Sequence, residues 1–276
     1  MIPSLSTKTK MKERTNYGNV WGGKIAWLLN RALRNQILIG NAFFWHLKSE
    51  MHVPEIAERY SLLLELYLHG CGEQRDDLLK QVQVVTMLND VAQSIKSVPS
   101  SRRKQEVQKR LSQLQLPDTF QLPIDPCRVA SGLVIEKCKS MDSAKAPLWL
   151  VFKNADPIGD DIWLIFKSGD DLRQDLLTLQ MLGIMDKIWK AEGLDLCLTP
   201  YKCIATGDEM GMIETVLDSD TTANIQKAAG GVTGALKQTP LANWLRSHNP
   251  DSTCLFFNFP SLLNLIVSNP WNIYSV

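Results

Sequence analysis

The sequence lacks the short motifs by which many enzymes are identified. It contains no Walker-type G-x-x-x-x-G-K-[ST], no dinucleotide-binding G-x-G-x-x-G, no zinc-protease H-E-x-x-H and no G-x-S-x-G nucleophile elbow. It also lacks net charge, because 30 Lys and Arg residues balance 29 Asp and Glu residues at a formal charge of +1. No overall electrostatic field attracts nucleic acid or an acidic membrane, so we predict no nucleic-acid partner.

Paired cysteines and long apolar runs are absent as well. The cysteines form no C-x-x-C pair and have no histidine at metal-ligand spacing, so we predict reduced, mostly buried thiols of a cytosolic protein. The six are Cys71, Cys127, Cys138, Cys197, Cys203 and Cys254. The polar, basic N-terminus does not resemble a secretory signal. The apolar run at residues 255–267 is too short to span a bilayer, so no transmembrane segment is predicted.

The first part of the chain is predicted to be helical. Apolar residues recur at spacings of three and four, which is typical of amphipathic helices packed on one another. The four predicted helices are residues 25–50, 56–68, 78–95 and 103–116. Residues 1–24 show little periodicity, and we expect them to be poorly ordered before an all-helical segment at 25–116. Three prolines then indicate a linker at 117–130.

Short apolar segments with high β propensity follow this linker. They predict strands at residues 132–137, 148–153, 162–167 and 211–217. A long amphipathic helix is predicted at 171–192, where Gly193 ends it. Strands with one long helix favour a small α+β lobe over residues 131–250 rather than a doubly wound sheet. Residues 251–276 carry one charge and no clear period, so we treat them as an unrelated apolar tail.

The most informative stretch joins the third predicted strand to the long helix and reads IWLIFKSGDDLRQD. Lys167 ends the apolar strand, so its stem lies in the core and its ammonium at the sheet edge, where it can meet a phosphate. Asp175, near the start of the helix, is placed to hold that ammonium. The same residues also fit an exposed lysine beside helix-start acids, which the helix dipole favours. The pattern alone leaves both interpretations open.

Longer segments carry a family resemblance. The segments FKSGDDLRQD, LDLCLTPY, ATGDEMGMIE and ANIQ, in that order, resemble the kinase domain of the class I phosphoinositide 3-kinases. Within that family, IEKCKSMDSAKAPLWLVFKNADP is most similar to the gamma catalytic subunit, while ALRN, FFWHLKSE and LLLELYLHGCG resemble the end of the accessory helical domain. The resemblance covers about residues 26–250. It implies an α+β chain: an all-α helical-repeat segment, then a kinase-like small lobe of antiparallel sheet and one long helix, truncated before the large lobe.

The resemblance also implies an ATP site. Lys167 matches the lysine that binds the ATP phosphates, and Asp175 matches the acid behind it. In the phosphate-covering loop at residues 141–147, Ser143 and Lys145 would reach the nucleotide. The other matches surround adenine: Met141, Trp149 and Ile165 along its walls, Tyr201 in the inner pocket, and Glu214 and Val216 in the hinge. An apolar slot with two backbone hydrogen-bonding groups suits a purine. Taken singly, the apolar matches also fit the core of any small β-lobe.

The family's catalytic machinery has no match in the sequence. Neither the loop Asp-Arg-His-x-x-Asn nor the following Asp-Phe-Gly occurs, and these motifs hold the metal ions and orient the attacking hydroxyl. We therefore assign no catalytic residue and no metal ligand. We expect a weak or incomplete ATP site, without ligands for the Mg²⁺ that the family uses. Because phosphoryl transfer depends on these groups, the resemblance implies a chain that is inactive alone.

Three functional hypotheses remain open. The first is a partial phosphatidylinositol 3-kinase, which transfers phosphate from ATP to the 3-hydroxyl of phosphoinositides in signalling. The second is a non-catalytic competitor that binds kinase partners, such as regulatory subunits, through its helical segment. The third is a chain without function, produced by premature termination or intron read-through. For the full-length family the resemblance implies a phosphoinositide lipid substrate and a cytoplasmic location with peripheral recruitment to membranes.

Overall fold

The computed structural model describes residues 18–143, 145–196, 198, 200–217, 219–229 and 240–248. The chain divides into two compact units. The first comprises Met1–Asp171 with Ile204–Met212, and the second comprises Leu172–Cys203 with Ile213–Val276. The predictions for residues 1–17 and for the tail at 251–276 lie outside the described residues.

Helices form the first part of the first unit. They are α1 (Gly18–Arg34), a π-helical turn (Gln36–Gly40), α2 (Asn41–Ser49), α3 (Pro54–Gly70), α4 (Gln74–Ile95) and α5 (Ser100–Ser112). The single helix predicted at 25–50 is therefore two helices, and the first begins at Gly18. Asn35 explains the interruption, because its side-chain oxygen accepts the Leu38 N–H at 3.1 Å and caps the π-helical turn.

Local chemistry accounts for other helix ends. Pro54 is the first residue of α3, a position where the missing N–H would have no helical partner. Asp76 and Asp77 lie in the first turn of α4, where negative charge complements the helix dipole. Gly72 has a φ of +56° between α3 and α4, a conformation that favours glycine.

The strands form a seven-stranded sheet among the described residues. They are β1 (Phe120–Leu122), β2 (Asp125–Leu133), β3 (Lys139–Ser140), β4 (Leu148–Asn154), β5 (Ile162–Ser168), β6 (Cys203–Gly207) and β7 (Met210–Glu214). The order is β1-β2-β4-β5-β7-β6, with β3 paired to β4. The pairs β1–β2, β2–β4, β3–β4 and β4–β5 are antiparallel.

One continuous core joins the helices to the sheet within the first unit. Trp45 of α2, Leu88 of α4 and Phe166 of β5 belong to the same buried cluster. Phe120 and Phe152, from β1 and β4, pack edge to face with ring centroids 6.0 Å apart. The helical segment and the sheet are therefore stabilised by shared apolar burial.

Two predicted segments differ from the structure. The proposed linker at 117–130 contains β1 and most of β2, because Pro123 occupies the turn between these strands instead of breaking a strand. The strand predicted at 132–137 is the end of β2 followed by a 3-10 turn at Ile135–Lys137. The cysteines were expected to be mostly buried: among the described ones, Cys71 and Cys138 are buried, Cys203 is partly buried and Cys127 is exposed on β2. Burial raises the pKa of both buried thiols.

The second unit contains three helices among its described residues: α6 (Arg173–Ala191), α7 (Thr222–Ala228) and α8 (Pro240–His248). The helix predicted at 171–192 is confirmed as α6, and Gly193, with a φ of +78°, follows it. The Thr221 hydroxyl accepts the Asn224 N–H at 3.1 Å and caps α7. Across the described residues, no helix is both long and apolar enough to cross a membrane.

Candidate nucleotide site

The two faces of strand β5 differ in burial. Ile162, Leu164, Phe166 and Ser168 are buried, whereas Trp163, Ile165 and Lys167 are only partly buried. Because side chains alternate along a strand, the partly buried residues share one face and the core lies against the other. Lys167 therefore lies on the face opposite the core.

Aromatic side chains occupy the same face as Lys167. Trp149 of β4 is paired in register with Ile165, and the Trp149 and Trp163 rings meet edge to face at 6.2 Å. The Lys139 ammonium lies 5.4 Å from the Trp149 ring centroid, and the Lys137 ammonium lies 5.4 Å from that of Trp163. The structure thus brings Trp149, Ile165 and Lys167 together on one largely apolar surface, with the Lys137 and Lys139 ammonium groups beside its two tryptophan rings.

The Lys167 ammonium is held by a nearby carboxylate. Its Nζ donates to Asp170 Oδ2 at 2.9 Å, and the lysine side chain is 21% exposed. The chain turns tightly between the two residues at Gly169, where φ is +87°. The N–H groups of Gly169 and Asp170 both donate to the Glu209 carbonyl, at 2.7 and 3.0 Å. Sequence reasoning missed Asp170, although FKSGDD places it three residues after the lysine. The pairing of Lys167 with Asp175 stays a prediction.

The loop between β3 and β4 carries three of the predicted residues. The Met141 N–H donates to the Pro147 carbonyl at 2.9 Å and closes the loop at its base. The Ser143 N–H donates to the Met141 carbonyl at 3.1 Å. Ser143 and Lys145 are exposed, while Met141 is half-buried. The loop therefore presents a hydroxyl and an ammonium to solvent, groups that can bind phosphate oxygens.

Asp175 and Tyr201 belong to the second unit. Asp175 is the buried residue of α6, and it lies in the first turn of that helix. Burial is the main cause that raises the pKa of Tyr201 to about 12, followed by the charges of Asp175 and Cys203. The phenol of Tyr201 is therefore harder to ionise than that of an exposed tyrosine.

The predicted hinge residues, Glu214 and Val216, lie at and just beyond the end of β7. The Glu214 N–H donates to the Lys202 carbonyl at 2.8 Å, and its carboxylate accepts the Lys202 N–H at 3.1 Å. The Val216 carbonyl accepts the Ser219 hydroxyl at 2.8 Å. These contacts order the backbone of the segment that the resemblance assigns to adenine.

Metal-ligating side chains do not cluster in the described part of the chain. Among those residues, no group of three or more His, Cys, Asp or Glu side chains is arranged to hold a metal ion.

Comparison with known families shows what these motifs are similar to. Residues 161–262 match the phosphatidylinositol 3- and 4-kinase family, and residues 20–80 match the accessory domain of the phosphoinositide 3-kinase family, the PIK domain. The chain is therefore similar, in this order along the sequence, to part of the accessory domain and part of the kinase domain of phosphatidylinositol kinases. The kinase-domain match includes Lys167, Asp175 and Tyr201, and the PIK-domain match includes helices α2 and α3.

The chain is also similar to individual phosphatidylinositol 3-kinases. The chain is 57% identical over 223 residues to phosphatidylinositol 3-kinase 2 of Dictyostelium discoideum, and 50% identical over 223 residues to phosphatidylinositol 3-kinase 1 of that organism. It is 41% identical over 230 residues to the phosphatidylinositol 4-phosphate 3-kinase C2 domain-containing subunit alpha of Pongo abelii. These alignments cover 80–82% of this chain but only 12–14% of the relatives.

Proposed function

We propose that this chain supplies the ATP-binding small lobe, with its adjoining helical segment, of a phosphatidylinositol 3-kinase. The whole enzyme would transfer phosphate from ATP to the 3-hydroxyl of a phosphoinositide lipid. One observation carries the proposal: Lys167 is partly buried at the end of β5, beside Trp149 and Ile165, with its ammonium held by Asp170. A fixed ammonium at the edge of an apolar aromatic surface suits a ligand with a flat base and charged phosphates.

In this proposal the residues of the first unit contact different parts of the nucleotide. Trp149, Ile165 and Met141 contact the adenine ring, and Lys167 binds the phosphates. Ser143 and Lys145 approach the phosphates from the exposed loop between β3 and β4. Bound ATP would compete with Asp170 for the Lys167 ammonium, because both offer oxygen acceptors to the same group.

The residues of the second unit keep the roles that the resemblance implies. Asp175 supports the phosphate-binding lysine, Tyr201 lines the inner pocket as a protonated phenol, and the backbones of Glu214 and Val216 bind adenine. The buried, ionisable character of Asp175 and the raised pKa of Tyr201 are both typical of functional positions.

The proposed chain binds ATP weakly and does not turn over by itself. Mg²⁺ would neutralise charge on the transferring phosphate, and its ligands belong to motifs that the sequence lacks. Purified chain should therefore transfer no labelled phosphate from ATP to phosphoinositide vesicles. Transfer above that of a Lys167→Ala variant would contradict this expectation.

The finer assignments belong to the same proposal. They are class I membership with greatest similarity to the gamma subunit, a helical segment at 25–116, a small lobe at 131–250, and recruitment of the whole enzyme to a membrane surface. The order of the helical segment and the sheet in the structure supports the segment order.

A second candidate function is partner binding by the helical segment. Trp27 on α1 is 64% exposed, and Leu62 and Leu66 on α3 are 56% and 57% exposed. Apolar side chains exposed at this level favour a surface that a regulatory subunit or another kinase segment covers. Capture of a purified regulatory subunit by the Lys167→Ala chain, and its loss in a Leu62→Ser, Leu66→Ser variant, would support this function.

The decisive experiment for ATP binding compares two lysines at opposite ends of the same face of the sheet. Equilibrium dialysis with labelled ATP should show binding that is at least about tenfold weaker in Lys167→Ala, because a charge-assisted contact is lost. Lys153→Ala is the matched control, since this exposed lysine is the penultimate residue of the neighbouring strand β4. Equal affinities of the two variants would contradict the proposed role of Lys167.

A further inference from the structure

The residue after Lys167 is anchored to helix α4. The Gln93 side-chain amide donates to Ser168 Oγ at 2.8 Å, and the Ser168 hydroxyl donates to Asn89 Oδ1 at 2.8 Å. Asn89 and Gln93 are four residues apart, so both lie on one face of α4. Ser168 is 4% exposed, and its hydroxyl therefore has two protein partners instead of water.

The turn that follows lies beside the side chain of Lys96, the residue after α4. A Cβ added at Gly169 would lie 2.9 Å from the Lys96 ammonium. On its other side the turn is held by the Glu209 carbonyl, which accepts the N–H groups of Gly169 and Asp170. The segment that orients Lys167 and its partner Asp170 is thus fixed from two directions.

The pairing of β4 with β5 does not extend to Lys167. The register between β4 and β5 ends with Leu148 opposite Phe166, one residue before Lys167. Beyond that pair, the hydrogen bonds of Ser168 hold the strand against α4. Because neighbouring side chains point to opposite faces, fixing Ser168 towards α4 turns Lys167 towards the aromatic face.

We propose that Asn89 and Gln93 are positioning residues for Lys167, through which the helical segment sets the direction of the phosphate-binding ammonium. This inference rests on the proposed function for the statement that Lys167 contacts phosphate. The positioning itself concerns only residues 89–96 and 167–170 of the first unit. The accessory helical segment would then form part of the nucleotide site's support and would not merely adjoin it.

The affinity test uses the full chain and four variants. Gln93→Ala and Asn89→Ala remove the anchor, Gln83→Ala is the control from an exposed glutamine of the same helix, and Lys167→Ala removes the ammonium. Gln93 is exposed, so its truncation leaves the core intact, and a thermal melt checks this. Dialysis with labelled ATP and with labelled adenosine gives the ratio of the two affinities, which is the preference for ATP. This ratio reports the phosphate contact separately from adenine binding.

We expect the preference for ATP over adenosine to fall about fivefold in Gln93→Ala and in Asn89→Ala, as for one lost hydrogen bond. The affinity for adenosine should stay the same, whereas a general loss of structure would lower it as well. A preference equal to that of Gln83→Ala in both variants would overturn the positioning role. If Lys167→Ala had the same preference for ATP as the unsubstituted chain, the proposed function would be overturned instead.

A second measurement tests positioning without nucleotide. Acylation of Lys167 by a small amine reagent, measured by mass spectrometry relative to Lys153, reports how firmly Asp170 and the turn hold the ammonium. Loss of the anchor should raise this relative rate at least about threefold in Gln93→Ala, Asn89→Ala variants. An unchanged rate would overturn the inference even if Lys167 binds ATP.

Discussion

Helices α4 and α6 have similar length and similar apolar patterning, yet they differ in burial. Helix α4 has 22 residues and buries nine of them, among them Leu88 and Ile95. Helix α6 has 19 residues and buries Asp175 alone. On α6, Leu177 is 61% exposed and Ile188 is 57% exposed.

The comparison shows what a helical period does and does not determine. Spacings of three and four predict that a helix forms and that one face is apolar. Burial of that face depends on tertiary partners, which α4 has in the sheet and in α2 and α5. In the described residues, the apolar face of α4 is buried behind β5, whereas apolar side chains of α6 are exposed.

The largest expected effect is on the core of α4. Leu88→Ala removes a fully buried side chain and should lower the free energy of unfolding by about 2–5 kcal/mol. Ile188→Ala on α6 is the matched truncation at an exposed site, and it should cost less than about 1 kcal/mol. Urea denaturation followed by circular dichroism measures both. Equal losses would show that the apolar face of α6 is covered in solution.

A polar contact of α4 should have the next largest effect. Gln81 is fully buried, and its side-chain oxygen accepts the Trp45 indole N–H at 2.7 Å. Gln81→Leu leaves that donor without its acceptor and should cost about 1–3 kcal/mol of stability. Gln83→Leu on the exposed side of the same helix is the control, and similar urea midpoints for the two variants would contradict the role of this bond.

The smallest expected effect concerns the backbone of α6. Gly183 lies inside the helix, and a Cβ at this position would meet no atom within 4 Å. Gly183→Ala should therefore stabilise α6 by about 0.5–1 kcal/mol, because alanine loses less backbone entropy on folding. Gly193→Ala, at a φ of +78°, should destabilise it. A thermal shift of the same sign in both variants would refute the assignment of these two conformations.

Regular segments with strong patterns were predicted well from the sequence. Strands β4 and β5 were expected at residues 148–153 and 162–167, and each extends one residue further in the structure. The long helix α6 differs by two residues at its start and one at its end. In each case a continuous apolar or amphipathic pattern agrees with local propensity, so no competing signal hides the element.

Segments with mixed signals could not be predicted. Strand β1 has three residues and lies between prolines, so its sequence looks like a linker, although Phe120 and Leu122 are buried in the core. Strand β6, Cys203–Gly207, has few large apolar residues and is defined by pairing with β7. Pairing partners are distant in sequence, and a single sequence does not reveal them.

The candidate site, too, was predictable from the sequence only in part. Lys167 could be singled out because a lysine at the end of an apolar strand can meet a phosphate, but the pattern alone fits an exposed lysine equally, and the family resemblance was needed to favour a nucleotide site. The anchoring of Ser168 by Asn89 and Gln93 could not, since those residues are 79 and 75 positions away. Tertiary packing of α4 behind β5 creates that contact.

The most direct test of the account is affinity labelling of the full chain with an adenine nucleotide that carries an amine-reactive acyl group on its terminal phosphate. Mass spectrometry then identifies the lysine that is acylated. The account predicts that Lys167 is the main site and that excess ATP protects it. Labelling spread evenly over Lys145, Lys153 and Lys167, with no protection by ATP, would contradict the claim that this chain holds ATP through Lys167.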